Sequence, residues 1–323
     1  MKYSGIGGQA VLEGIMMKNG ENYAVAVRTP EKKIEVVKDV YKGTLGAGAF
    51  FRLPFIRGTF NMIDSLVLGM KIIMISASYY DEEEEEQPKK GKKEKTEEQK
   101  EKEEKSMMFF TVCLSVVLAV GLFMVLPVVI SNFLKPYIAN TFLMSLIEGL
   151  IRVAIFLGYM VAITLMQDIK RTYMYHGGEH KCINCIEHGK LLTVENVRES
   201  SRFHKRCGTS FLLIVMLISV LVFMFVKTDT LWLRIISRIL LLPVVAGISY
   251  EFLRWAGRSD NWFVNLLSKP GLLLQRLTTR EPDDDMIEVA IAATEAVFDW
   301  RNYLKENFPE EYAKQTEGKN DGN

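Results

Sequence analysis

Between residues 176 and 207 the chain gathers all of its histidines (His176, His180, His188, His204) and three of its four cysteines (Cys182, Cys185, Cys207). Imidazole nitrogen and thiolate sulfur are ordinary protein donors for zinc and related divalent cations. Scattered core histidines would not bunch this way in a chain of 323 residues. The cluster therefore predicts a metal site, and two partitions of the donors compete. In one, Cys182-x2-Cys185 and His204-x2-Cys207 are separated by 18 residues, the ribbon-like spacing of a closed structural zinc site with three sulfurs and one imidazole. In the other, His176-Gly177-Gly178-Glu179-His180 has the H-x-x-E-H order. There, two histidines one turn apart hold a metal and the glutamate takes a proton from water.

On a continuous helix Glu187 falls eleven residues past His176, about three turns on and on the same face. His176, His180 and Glu187 then form an open three-ligand set, with His204 and Cys207 approaching from the next segment. Each partition has a weakness. Gly177 and Gly178 cost about 1 kcal/mol apiece inside a helix. The ribbon leaves three histidines, Glu179 and Glu187 unexplained. His188, next to Gly189, reads as a loop histidine.

The elements that must position these donors are apolar. Nearly half the residues are hydrophobic although 24% are charged, and the conflict resolves because many charges sit in one run, 81–105, and in the two ends. The fold class expected is mainly α: a polytopic membrane protein with about four transmembrane helices, a small N-terminal β region and amphipathic interfacial helices. Four segments, 107–130, 141–166, 209–226 and 231–252, are apolar enough for a hydrocarbon core of about 30 Å at about 1.5 Å per residue. Glu148 and Arg152, one turn apart in the second, can pair within the membrane, with each other or with Arg234 and Arg238 of the fourth.

The organisation expected is 1–80 as a β region plus an amphipathic helix, 81–106 as a charged linker, and 107–253 as the four-helix region. The His/Cys loop, 167–208, lies within that region, and 254–323 forms amphipathic helices and a tail. Near the N-terminus one strand is expected over 9–17, an Asn19-Gly20 turn after it, and further strands over 23–27 and 34–41. The helix over 58–79 carries Asp64 and Lys71 and is expected to lie along the membrane surface or pack on the bundle. Short amphipathic pieces are expected on either side of Pro270-Gly271, then a helix capped by Asp283 to Asp285 and running to about Leu304. Disorder is expected past about Lys314.

The loop between the second and third apolar segments holds Lys170, Arg171, Lys181, Lys190, Arg198, Arg202, Lys205 and Arg206. The positive-inside rule then places that loop and both termini in the cytoplasm. Residues 1–30 lack the basic start and apolar core of a secretory signal, so an internal segment is expected to direct insertion. A net charge of +1 gives no pull toward nucleic acid. Four cysteines, three of them among histidines, do not make a disulfide framework.

The chain resembles the YqhQ-type family of bacterial membrane proteins, whose domain has no known function and carries a metal-dependent-enzyme label. The stretches that carry the resemblance run from Gly7-Gly8-Gln9-Ala10-Val11-Leu12-Glu13-Gly14 to Met17, then Arg57-Gly58 and Tyr175-His176-Gly177-Gly178-Glu179-His180-Lys181. Glu187, Leu192 to Asn196, His204, Arg206-Cys207-Gly208-Thr209-Ser210-Phe211 and Lys269-Pro270-Gly271-Leu272 complete it. It spans nearly the whole chain apart from the charged linker and the extreme tail. The family pattern has His, Glu, His, Glu and then His-x-Arg-Cys-Gly-Thr, and does not require Cys182 and Cys185. The resemblance thus implies an open site using His176, His180, Glu187, His204 and Cys207, with Glu179 as base.

The expectation that follows is a cytoplasm-facing, metal-dependent, hydrolytic enzyme of the bacterial cell membrane. Zinc is the expected cation, and a lipid or membrane peptide the expected substrate. Arg206, Lys181 or Arg254 would stabilise developing negative charge. Further candidates are Gln9 and Glu13 in the glycine-rich segment, Arg57 as an anion contact, and Glu251 with Arg254 at the end of the fourth span. The rival is a non-enzymatic scaffold, assembly factor or transporter with a structural zinc. Neither the substrate nor the oligomeric state is legible.

Overall fold

The computed structural model describes residues 2–43, 53–81, 97–226, 230–256, 259 and 261–320. Most of the expected linker, 82–96, falls outside the described residues. The fold is mainly helical, with one small antiparallel sheet at the N-terminal end.

The sheet has four strands in sequence order: β1 (Ile6–Val11), β2 (Gly14–Asn19), β3 (Asn22–Arg28) and β4 (Ile34–Val40). The stretch expected as one strand over 9–17 is two strands. Val11 pairs with Gly14 across a two-residue turn, in which Glu13 takes φ 47°. The next turn uses Gly20 at φ 62°, as the Asn-Gly signal predicts. Strand period sorts the central residues onto two buried faces. Ile15, Met17 and Ala26 face one core, while Met16, Tyr23, Val25 and Val27 face another.

The second face packs on Leu68 and Ile72 of α1 (Ile56–Asp81). That helix is long and apolar enough to cross a membrane. It nevertheless packs under the sheet: Lys71 pairs with Asp39, and the Tyr41 hydroxyl reaches Asp64. Its start lies against α9 (Leu242–Ala256), where a Cβ on Gly58 would come within 2.7 Å of Tyr250.

A π-helical turn, Gly121–Val125, joins α2 (Glu97–Val120) to α3 (Leu126–Asn132), and α4 (Thr141–Ile163) follows. The segments Phe109–Asn132 and Thr141–Ile163 both qualify by length and composition as spans. Phe109, Phe110, Val116, Val117 and Leu118 are exposed, an apolar surface that water would not favour. After α5 (Gln167–Glu187) and α6 (Val194–Glu199) comes α7 (Gly208–Met224), an apolar helix of 17 residues. The last apolar segment is bent by 42° between α8 (Leu231–Leu240) and α9. Pro243 near that bend removes a helix donor. Among the described residues three helices are apolar enough to cross a membrane, or four if the bent pair is one span, consistent with a membrane protein.

Pro270 does not break the next element. A single helix, α10 (Trp262–Thr278), runs through it, and Gly271 admits Ser210 of α7 so closely that a Cβ would meet it at 2.9 Å. Asp283 caps α11 (Asp284–Val297) through the Met286 amide. The chain then breaks at Phe298 and Asp299 before α12 (Trp300–Asn307) and α13 (Pro309–Asn320). The tail is therefore three helices where one and a disordered end are expected. The first face of the sheet, α5 and α11 together form the main core, with Tyr175, Ile183, Ile186, Ile287 and Ala290 inside it.

Candidate metal centre

The H-x-x-E-H stretch is helical, lying inside α5. The two glycines differ in their packing. A Cβ on Gly177 would overlap the carbonyl oxygen of Arg280, while one on Gly178 would make ordinary contact with Ile15 and Ala290. Gly8 of β1 approaches from the other side, within 2.8 Å of the Glu179 Cγ for an added Cβ.

His176 and His180, one turn apart, turn toward Cys207, which caps the start of α7. One donor atom from each lies within 4.8 Å of the others, and the Cys207 sulfur is 3.3 Å from His176 Nε2. Each histidine places Nδ1 against a main-chain oxygen: His176 at 2.9 Å from Thr278 O, and His180 at 2.6 Å from Arg202 O. A carbonyl can only accept, so both rings carry a proton on Nδ1, and Nε2 is the atom each would offer to a metal. The donor set of two imidazoles and one sulfur fits zinc and leaves a fourth position open. Glu179 stands beside it, with Oε2 at 3.9 Å from His176 Nε2. A cavity of about 800 Å³ reaches the cluster and is lined by His176, Glu179, His180, Arg206 and Cys207 on one side and Gly8 and Gln9 on the other.

Electrostatics follow from burial and proximity. Burial pushes the Cys207 thiol up, but the two histidines outweigh it and bring it well below its usual range. Burial depresses His176, yet the neighbouring thiolate and Glu179 hold it at about 9. Glu179 is raised by burial, partly opposed by the histidines. A bound cation would hold the sulfur deprotonated outright.

Glu187 is not in this cluster. Its oxygen accepts from the Ser4 amide at 2.9 Å, the Ser4 hydroxyl at 2.8 Å and the Arg206 guanidinium. Eleven residues at about 1.5 Å of rise put it roughly 16 Å along the axis from His176, too far to share an ion. His204 belongs with it. Its Nε2 lies 3.2 Å from Arg206 and 3.6 Å from Glu187, and its ring stands beside His180 with centroids 5.7 Å apart. Burial lowers the His204 pKa, with Glu187 opposing. For Glu187, burial is outweighed by His204, Arg206 and Ser4, which bring the carboxyl to about 2.

Cys182 and Cys185 face the hydrophobic core between α5 and α11. The Cys185 thiol donates to Leu191 O at 3.4 Å. The closed ribbon set is therefore not brought together. Lys181, expected near the chemistry, turns to Arg198 O, Ser200 O and Glu281 at 2.8, 2.9 and 2.9 Å and ties down the following loop. His188 accordingly sits at the C-cap of α5, with Nδ1 2.7 Å from Asn184 O.

Arg206 lines the cavity with its guanidinium 4.1 Å from the Tyr3 ring centroid. Gln9 lines it against Gly69. Glu13 instead pairs with Arg171 and accepts from Tyr175 at 3.2 Å. Arg57 pairs with Glu251, so that arginine is not a free anion contact. Arg254 lines a separate cavity of about 370 Å³ that shares Tyr3 and Arg206 with the larger one.

Two residues of α10 were not among the sequence candidates. Thr278 supplies the oxygen that orients His176. Gln275 accepts from the His204 amide at 2.8 Å and donates to its carbonyl at 2.7 Å. The Lys269-Pro270-Gly271-Leu272 motif marked that helix, though not these side chains.

Residues 53–300 match a family model described as a protein of unknown function, DUF1385. The chain is 36% identical over 286 residues to the uncharacterized protein YqhQ of Bacillus subtilis (strain 168), covering 88% of this chain and 89% of that one. No solved structure matches. With His176, His180 and Cys207 all within the matched region, the chain belongs to this YqhQ-type bacterial family of unknown function.

Proposed function

We propose that the protein is a polytopic enzyme of the bacterial cell membrane that uses one divalent cation, zinc by donor chemistry, for hydrolysis. The observation that carries this reading is the orientation of His176 and His180. Both Nδ1 atoms are committed to main-chain oxygens, His176 Nε2 lies 3.3 Å from the Cys207 sulfur, and His180 joins them at the wall of a large cavity. When bound, zinc supplies Lewis acidity and lowers the pKa of a water in its open position. Glu179, whose proton affinity burial raises, stands beside the three donors, where it would take a proton from an attacking water and return it to a leaving group. Arg206 lines the cavity, as Lys18 does, and although its Nη2 pairs with Glu187 its buried Nη1 has no hydrogen-bond partner among the described residues and is suited to developing negative charge on a carbonyl or phosphoryl oxygen. Lys181 has no part in this step, since its donors are spent on the loop.

The positive-inside rule supports a cytoplasmic position for the site and both termini. A site there would face the membrane surface, within reach of a lipid, a lipid-linked intermediate or a membrane peptide. Elemental analysis of purified wild type is expected to give about one zinc per chain, and His176→Ala, His180→Ala or Cys207→Ala to remove it. Glu179→Gln is expected to keep the metal. Incubation with a total bacterial lipid extract should consume a species in wild type that persists with Glu179→Gln. Metal loss that drags protein abundance down equally, with no chemistry in any extract, would instead favour a structural staple.

A further inference from the structure

A second cluster of buried charge lies at the far end of α7 from Cys207, and the metal chemistry does not use it. Glu148 of α4 meets three guanidinium groups: Arg152 at 3.0 Å, Arg238 at 3.1 Å and Arg234 at 2.7 Å. All four residues are buried, Arg152 and Arg238 almost completely. One carboxylate against three cations leaves two positive charges in excess inside an apolar bundle, where an uncompensated charge is costly.

Two of the arginines have further partners. Arg152 donates to Phe123 O, within the π-helical turn, and to Ser219, and Arg238 donates to Phe223 O. Both lie over the Phe223 ring, with centroid distances of 4.8 and 4.4 Å. Arg234 differs, because it also lines a cavity of about 470 Å³. The walls of that cavity are mixed: Asn132, Lys135, Thr141, Ser145 and Thr230 join Arg234 as its polar and basic part, and Ile138, Met144, Val226 and Leu231 are among its apolar part. Thr141 begins α4 and Thr230 caps α8, so two helix N-termini border the same space, although Asn140 and Thr230 already accept from first-turn amides there.

We propose that this cavity binds a phosphate-type anion, with Arg234 and Lys135 as its cationic contacts. Arg234 would be shared between the bound anion and Glu148. The two sources of such an anion are the headgroup of an acidic phospholipid, entering from the adjacent leaflet, and free phosphate. The site lies about 25 Å along α7 from Cys207, at about 1.5 Å per residue over its 17 residues. It is separate from the proposed metal chemistry and stands or falls without it.

The test uses the full-length protein in detergent, with melting followed as dioleoyl phosphatidylglycerol, dioleoylglycerol or inorganic phosphate is added. Phosphatidylglycerol is expected to raise Tm by several degrees and dioleoylglycerol, which lacks the phosphate, to leave it in place. A rise with inorganic phosphate alone would support the site and identify the free anion as its source. Arg234→Gln leaves Arg152 and Arg238 on Glu148 and is expected to weaken anion binding at least about tenfold. Lys135→Gln, at the cavity wall, supplies a second variant and is expected to weaken it less. The proposal fails if dioleoylglycerol matches phosphatidylglycerol, if neither anion moves Tm, or if both variants respond as wild type does.

Discussion

The Cys207 sulfur sits 3.3 Å from Nε2 of His176, joining the start of α7 to the middle of α5 across 31 residues of sequence. A thiol at a helix N-terminus beside an imidazole is activated as a nucleophile as well as a ligand. In metal-free protein Cys207 is expected to alkylate with iodoacetamide faster than Cys182 and Cys185, which burial holds in the thiol form. Zinc should protect it. Mass spectrometry of the peptides with and without one equivalent of zinc checks this, and equal labelling of all three buried cysteines would refute it.

Neighbouring glycines of α5 are expected to respond with opposite signs. Gly177→Ala drives a Cβ into the carbonyl of Arg280 and should destabilise by about 1–3 kcal/mol, as overpacking does. Gly178→Ala meets only ordinary contacts and removes a helix penalty, so it should be neutral or stabilise by up to about 1 kcal/mol. Thermal melts of the two variants decide it.

Glu187 should separate stability from metal binding. Its folded pKa is about 2 against an ordinary 4.5, so its contribution is fully present above pH 4.5 and is lost as pH falls toward 2. A depression of that size corresponds to about 3 kcal/mol. Glu187→Gln is expected to lose that much stability at pH 7, to show a flatter acid limb in denaturant titrations from pH 5 to pH 3, and to bind zinc as wild type does. Loss of zinc in this variant would restore Glu187 to the ligand set.

Removing Glu148 leaves three guanidinium groups without their shared carboxylate. Breaking a buried ion pair from one side typically costs about 3–5 kcal/mol. Glu148→Ala is therefore expected to lower Tm sharply while the zinc content of the surviving folded fraction stays near one per chain. Glu148→Gln, which keeps one acceptor oxygen for the arginines, should lose less.

Much of the site was legible because donor types are few and clustered, and helical spacing gives direction around an axis. His176 and His180 meet as H-x-x-E-H predicts. Period alone gave Glu187 the right face and the wrong height, because a shared face says nothing of the rise along the helix. The glycine penalty argued against a helix that tertiary packing made anyway, with the Arg280 carbonyl filling the space a side chain on Gly177 would take. Cys182 and Cys185 carry a metal spacing yet serve as small core residues against α11. In the sheet, the expected strand over 9–17 hid a turn at Leu12 and Glu13, since a non-glycine residue at positive φ has no strong local signal. The Glu148 pairing was readable because charges at membrane depth have few partners to choose from.

The shell around α5 is drawn from the two ends of the chain. Lys2 donates to Glu187 O at 3.0 Å, Tyr303 donates to Lys2 O at 2.8 Å, and Arg280 closes over Gly177 through its amide on Tyr173 O at 2.8 Å. The order of synthesis then matters. A ribosome that has translated all of the apolar helices has still not released the segment that covers the histidine helix. The nascent protein would pass through a stage in which His176, His180 and Cys207 have all been made while the segment that closes over Gly177 has not.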